Sequence, residues 1–207
     1  MMAYLTKSKF DIETHPWKPF IPKKADKLLL GTFPTHSRNR KTYEFFYPNP
    51  NNDFWKIIFE TAGLNPEGPQ KMDPVKLRKQ VLTQLGIGIA DICHIIYRQR
   101  SSSNDNAIFP IEFTDIFLLL EKHPNITTLL VTSSSKNNST LAWLHQYCCL
   151  NGSLFKIPDG KLPKTASFSF KRRTIAIEII PSPSRLSRIK GDARLEMYKN
   201  ALLKNHG

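Results

Sequence analysis

Phe45 to Ile58 reads FFYPNPNNDFWKII and holds the residues best placed to do chemistry. Tyr47-Pro48-Asn49-Pro50 cannot be helical, because each proline lacks an N–H and pushes its predecessor toward extended geometry. Asn51 or Asn52 then suits a helix N-cap, where a short amide oxygen accepts from free first-turn N–H groups. Asp53 follows, where negative charge favours the helix dipole. Phe54, Trp55, Ile57, Ile58 and Phe59 supply the apolar face. A stiff aromatic loop is thus delivered onto a helix N-terminus, with Asn52 at its tip. A neutral amide is no general base, but it can accept from water and donate to a carbonyl. The same stretch also reads as a plain capped helix after a proline-rich loop.

The elements around it put this loop at a strand end. Lys27-Leu28-Leu29-Leu30-Gly31 is an unbroken apolar run, as a strand covered on both faces should be, and Thr32-Phe33-Pro34 turns it sharply. Open α/β sheets bind ligands at the carboxyl ends of their strands. Backbone N–H groups of Gly31–Pro34 can face a developing negative oxygen there. Further strands are expected at Gly88–Ile92, Thr127–Thr132 and Thr174–Ile180, and a short one at Leu154–Ile157. Helices are expected from Asp53, over Val75–Leu85 behind an Asp73-Pro74 start, over Ile111–His123, from about Asn138 to Cys149, and over Asp192–Lys204. Gly63–Gln70 reads as a turn-rich link and Arg98–Asn106 as a loop. The alternation argues a parallel sheet with helices on both faces, a three-layer α/β/α sandwich. Residues 1–26, with Pro16, Pro19 and Pro22, read as an extended arm on a single domain spanning 1–207.

Three stretches together resemble the uracil-DNA glycosylase superfamily, nearest its hypoxanthine-DNA glycosylase and mismatch-specific uracil-DNA glycosylase branches. Gly31-Thr32-Phe33-Pro34 matches a G-S/T-F-P turn, and Asn49 to Trp55 matches H-P-x-N-x-F-W, with Asn52 on the motif asparagine. Gly86 to Asp91, then Arg98, Ser103, Asp105 and Ile108, matches a G-I-x-L-W-D…R…S-x-D-x-x-I segment. Ile180 to Arg188 is similar to an N-P-S-G-L-S-R loop. The chain departs from the patterns at Asn49, Ala90, Ser182 and Arg185, and has no asparagine after Gly31 and no histidine in the third motif.

The resemblance implies hydrolysis of the N-glycosidic bond of a deaminated base, uracil or hypoxanthine, in DNA. Such an enzyme must take the nucleotide out of the stack. It implies Asn52 and Asp91 as catalytic, and Gly31, Thr32, Phe33, Phe46 and Tyr47 as base-binding, with Phe46 or Tyr47 the stacking platform. Asp91 can orient water or hold Arg98, and equally reads as one half of a structural ion pair. Ser103 with Asp105 reads as an N-cap pair. Ser182, Ser184, Arg185, Leu186, Ser187 and Arg188 suit a DNA-penetrating wedge, with serines and arginines on phosphate and Leu186 in the vacated stack. They read equally as a Ser/Pro turn before a helix. Arg38 and Arg40, in a basic loop with His36 and Lys41, read as phosphate contacts or as a solvated loop. The rivals are a non-catalytic nucleic-acid-binding module of the same fold, motivated by the departures, and a hydrolase of free nucleosides.

Composition narrows the partners. The 207 residues carry 30 Lys and Arg against 17 Asp and Glu, a charge of +13, and a pI near 9.8. Such a balance suits nucleic acid, and equally membrane surfaces, acidic proteins or no specific partner. No apolar run approaches the roughly 18 residues of a membrane span, and MMAYLTKSKF lacks the apolar core of a secretion signal. The expectation is a cytoplasmic monomer without membrane contact. The three cysteines lack C-x-x-C spacing and the histidines form no metal-spaced cluster, so no metal is expected, and the resemblance implies no organic cofactor.

Overall fold

The computed structural model describes residues 10–40, 42–65, 72–135 and 137–204. The first nine residues of the arm, Lys41 of the basic loop and 66–70 of the link lie outside them. In chain order the elements are β1 (Phe10–Thr14), β2 (Lys27–Gly31), α1 (Phe54–Thr61), α2 (Pro74–Leu85), β3 (Ile87–Asp91), β4 (Cys93–Gln99), β5 (Ile108–Phe113), α3 (Ile116–Lys122), β6 (Thr128–Val131), α4 (Thr140–Leu150), β7 (Lys164–Phe170), β8 (Arg173–Ile179) and α5 (Gly191–Leu203).

Five strands form a sheet in the order β3-β2-β6-β8-β7. The first four are parallel, and β7 closes one edge antiparallel to β8. Every residue of β2, β3 and β6 is buried, which is why their sequences do not alternate. Successive strand residues point to opposite faces, and the core divides accordingly. Leu28 and Leu30 join Leu129, Val131, Ile177 and Ile179 with residues of α3 and α4. Leu29 joins Leu130 and Ile89 with residues of α1, α2 and α5.

The expected strands of this sheet fall within a residue or so of those observed, and so do four helices. Asp73 accepts from Val75 N–H ahead of Pro74, and Gly86 ends α2 in the left-handed region at φ 68°. Three expectations are corrected. Ile111–His123 is not one helix: β5 occupies its start and α3 begins at Ile116. Arg98 lies in a strand rather than a loop. Leu154–Ile157 is not a strand.

One unexpected strand, β7, joins the large sheet, and the others form a second sheet, β1-β4-β5, antiparallel throughout. Pro110 lies in β5, an edge strand, where a residue without an N–H costs no ladder bond. The chain crosses from the large sheet to the small one at Ile92, whose N–H bonds the Gly31 carbonyl at 2.9 Å. Asp91 therefore sits at the joint between the two sheets.

Candidate functional site

A cleft of about 720 Å³ opens over the carboxyl ends of β2, β3, β6 and β8. Thr32–Thr35 come from the turn after β2, Asp91 from the end of β3, Thr132 and Ser133 from the end of β6, and Ser182–Ser187 from the loop after β8. Tyr47, Asn52 and Asp105 line it as well.

Asp91 is fixed from the arm. His15 follows β1, and its Nε2 donates to Asp91 Oδ2 at 3.0 Å. The ring is held at its other nitrogen as well, with Nδ1 2.6 Å from the Trp17 carbonyl. The imidazole is held by the rings of Trp17, Phe33 and Phe46, with centroids 5.4–5.8 Å away. A Cβ placed on Gly31 would come within 2.2 Å of Asp91 Oδ1 and 2.9 Å of the Tyr47 hydroxyl. Gly31 is therefore needed for the space it leaves.

Arg98 is not held by Asp91, as one reading of the sequence had it. It is 0 % exposed, and its Nε donates to Glu13 Oε1 at 2.6 Å. Its two terminal nitrogens donate to the carbonyls of Ser102 at 2.6 Å and Pro34 at 2.7 Å. One guanidinium thus ties the arm, the Gly31–Pro34 turn and the 100–105 loop together. Asp105 is not a cap either: Asn104 caps the short 3-10 turn Asp105–Ala107. Asp105 Oδ1 instead accepts from Thr32 Oγ1 at 2.9 Å. Burial, with Asp91 adding like charge, pushes the Asp105 carboxyl up to about 6 although the Thr32 bond and Arg98 oppose it.

Tyr47 and Phe46 part company. Phe46 is 1 % exposed in the core and lies outside the cleft. Tyr47, with φ 53°, turns its ring into the cleft wall and stacks on Phe54 at 3.9 Å and 17°. Burial, with Asp91 nearby, holds its phenol well above the ordinary value, so it stays neutral. Phe33 lines the cleft beside Thr32.

The N-cap of α1 is Asp53 rather than Asn51 or Asn52, and its side chain makes no cap bond. Asn52, one residue earlier, supplies the bond instead: its Oδ1 accepts from Phe54 N–H at 2.9 Å, while the residue lines the cleft. Asn52 also makes an isolated antiparallel bridge to Ser184. Asp53 N–H bonds the Pro183 carbonyl at 3.1 Å. Burial of Asp53 opposes its charge, but Arg194 and Arg185 outweigh it and hold the carboxyl below the ordinary range.

The loop after β8 is largely self-supporting. Ser182 and Ser184 hydroxyls accept from the N–H groups of Ser184 and Leu186, each at 3.2 Å. Arg185 reaches Asp53 at 3.2 Å and Asn51 at 3.3 Å. Arg194, from α5, bonds Asp53 and the Ser182 and Ser184 carbonyls. Leu186 is 92 % exposed, and Arg188 is exposed near it. In the basic loop Arg38 is exposed, whereas Arg40 turns inward to Glu13 and the Thr35 carbonyl. Ser103, expected as a cap, accepts from Thr35, His36 N–H and Asn39, so it braces that loop.

The structure therefore brings Thr32, Phe33, Tyr47, Asn52, Asp91 and the Ser182–Ser187 loop to one cleft, sets Gly31 against Asp91 and Tyr47 behind it, and leaves Phe46, Arg38, Arg40 and Arg188 out of its lining. Sequence reasoning did not find His15, Glu13 or Arg194. Period-two alternation in Phe10–His15, FDIETH, was the available signal for the arm strand. Among the described residues no cluster of His, Cys, Asp and Glu suits a metal ion, and no helix is long and apolar enough to cross a membrane.

No family model matches the chain, and no curated protein matches it. Its fold is shared with a solved structure, the solution NMR structure of a "putative Uracil DNA glycosylase" from Methanosarcina acetivorans. The two agree at a TM-score of 0.61 and 20 % identity, over 93 % of this chain and 97 % of the other.

Proposed function

We propose that this chain, which shares its fold with a structure named for uracil DNA glycosylase, is itself a DNA glycosylase of that superfamily's hypoxanthine and mismatch-specific branches. It hydrolyses the N-glycosidic bond of a deaminated base and leaves an abasic site for base excision repair. The fold is taken as a three-layer α/β/α sandwich, one domain with residues 1–26 as an arm, working as a cytoplasmic monomer without metal or cofactor. The observation that carries this reading is the joining of two loops. The Asn52 loop and the Ser182–Arg188 loop are bridged, and they share a cleft with Asp91 and a wedge-like leucine.

A flipped base would enter between Tyr47 and the Gly31–Pro34 turn. Tyr47 gives it a stacking face, and Phe33 and Thr32 line its edge. With Asn52 Oδ1 engaged by Phe54, the amide nitrogen is the group left to donate to a base carbonyl. Asp91, held by His15, receives the proton of the attacking water. Leu186 would fill the space the base vacates, with Arg38, Arg185 and Arg188 near phosphates. The +13 charge supports such contacts.

The test is single-turnover cleavage of duplexes carrying uracil, hypoxanthine, xanthine or a thymine mismatch. Asn52→Asp keeps a capping oxygen and loses the donor, so it is expected to melt like wild type and lose about a hundredfold in rate. Equal rates would reduce Asn52 to a cap. Leu186→Ala is expected to slow excision from duplex by roughly tenfold while sparing single strands, since unstacking costs about a few kcal/mol only where a stack exists. Equal loss on both substrates would give Leu186 another role. DNA binding with no base released is the outcome for the non-catalytic module, and cleavage of free nucleosides alone is that for the nucleoside hydrolase.

A further inference from the structure

The cleft floor holds a second carboxylate that the scheme above leaves idle. Asp105 lies 14 positions beyond Asp91 in sequence, in a different element, yet both line the same cleft. Thr32 fixes Asp105 Oδ1 at 2.9 Å, and Asn104 fixes its backbone by accepting from Asn106 N–H at 3.0 Å. Its Oδ2 makes no hydrogen bond to a described residue, and the residue lines the cleft. Asp91 is placed differently: one oxygen takes the His15 N–H and the other lies against Gly31. The two carboxyls thus have unlike surroundings, the arrangement in which one serves as base and the other as acid.

Their joint presence also bears on the leaving group. Uracil departs as an anion, and a floor with two carboxyl groups is a poor place to develop negative charge. A purine can depart neutral if a proton reaches its ring as the bond breaks. We infer that Asp105 is the general acid of this site, delivering a proton to N7 of a flipped purine, so that bases leaving neutral are preferred to uracil. This rests on the glycosylase reading. In the step, the C1′–N9 bond breaks and its electron pair stays with the base. The Asp105 proton goes to N7. The water oxygen bonds C1′, and the water's proton goes to Asp91. Solvent then returns a proton to Asp105 and takes one from Asp91.

The groups facing Asp105 are Asp91 at the end of β3, Arg98 and Cys93 on β4, Thr32, and Tyr47 from the aromatic loop. Cys93 and Tyr47 are both shifted toward their neutral forms by burial. Arg98 is committed to Glu13. The carboxyl near 6 is therefore set chiefly by burial, which the Thr32 bond opposes, with Asp91 raising it further and Arg98 lowering it. A carboxyl raised in the folded state adds stability fully below about 3.9, its unfolded value, and loses it as pH rises through about 6.

Single-turnover excision of hypoxanthine and of uracil from duplex is measured between pH 5 and 9, with melting curves beside it. Wild type is expected to excise hypoxanthine faster than uracil, with a rate falling about tenfold per pH unit above about 6. Asp105→Asn keeps the Thr32 contact and should lose about a hundredfold on hypoxanthine, together with that descending limb. Above pH 6 it should melt no lower than wild type. The 7-deaza analogue of hypoxanthine, which cannot take the proton at N7, should resist wild type and variant alike. That comparison and the wild-type profile need no variant and stand if Asp105→Asn folds poorly. An Asp105→Asn enzyme with wild-type rate and profile overturns the inference alone, as do faster uracil excision or rapid cleavage of the 7-deaza analogue. A wild type that releases no base overturns the glycosylase reading with it.

Discussion

Gly31→Ala is expected to fold and to lose on the order of a thousandfold in single-turnover excision, the largest effect of any single methyl group in the chain. The added carbon would lie 2.2 Å from Asp91 Oδ1 and 2.9 Å from the Tyr47 hydroxyl, far inside contact distance. Neither neighbour yields cheaply. Asp91 can retreat only by giving up His15. Tyr47 can retreat only by sliding off Phe54, against which it stacks at 3.9 Å. The backbone at Gly31 is ordinary strand, so alanine brings no dihedral strain and the damage is confined to the cleft. The measurement is excision of the preferred base beside a melting curve. A variant within tenfold of wild type would mean that Asp91 and Tyr47 are not where the chemistry happens.

Arg98→Met should be the most destabilising change outside the apolar core, by about 3 kcal/mol. It leaves the Pro34 and Ser102 carbonyls without their donors and Glu13 with Arg40 as its remaining cation. For a domain of this size that is a fall in Tm of roughly 6–12 °C. Glu13→Gln added to Arg98→Met should recover part of the loss, because the carboxylate no longer lacks its strongest partner. Chemical unfolding measures both. A loss under about 1 kcal/mol would show that water replaces the guanidinium in the variant.

The parallel strands of the large sheet were legible because burial on both faces writes itself as an unbroken apolar run: KLLLG, IGIAD and TLLV need no partner to be recognised. Its edge strand β7, KTASFSF, was not, because its half-exposed pattern carries no such run. The small sheet was not. Cys93–Gln99 mixes buried and exposed residues without clean alternation, and its ladder shifts register twice. The proline in β5 argues against a strand until its edge position is known. At the site, Gly31, Tyr47 and Asn52 stood out because they belong to continuous stretches. His15 did not, and Asp105 was read only as half of an N-cap pair, because their meaning lies in partners 76 and 73 positions away. A histidine beside a proline and an aspartate in a serine-rich segment look like any others. Only the crossing from one sheet to the other at Ile92 brings them to one floor.

The bridge between Asn52 and Ser184, with Asp53 bonded to Pro183 and clamped by two arginines, has a consequence for how DNA would be met. A recognition loop that orders only on contact gives up conformational entropy, typically about 0.5–1.5 kcal/mol for each long side chain it immobilises. Here that cost falls on folding instead. Association then proceeds as the docking of a preformed edge, and mutations in the loop should change how long a complex lasts more than how fast it forms.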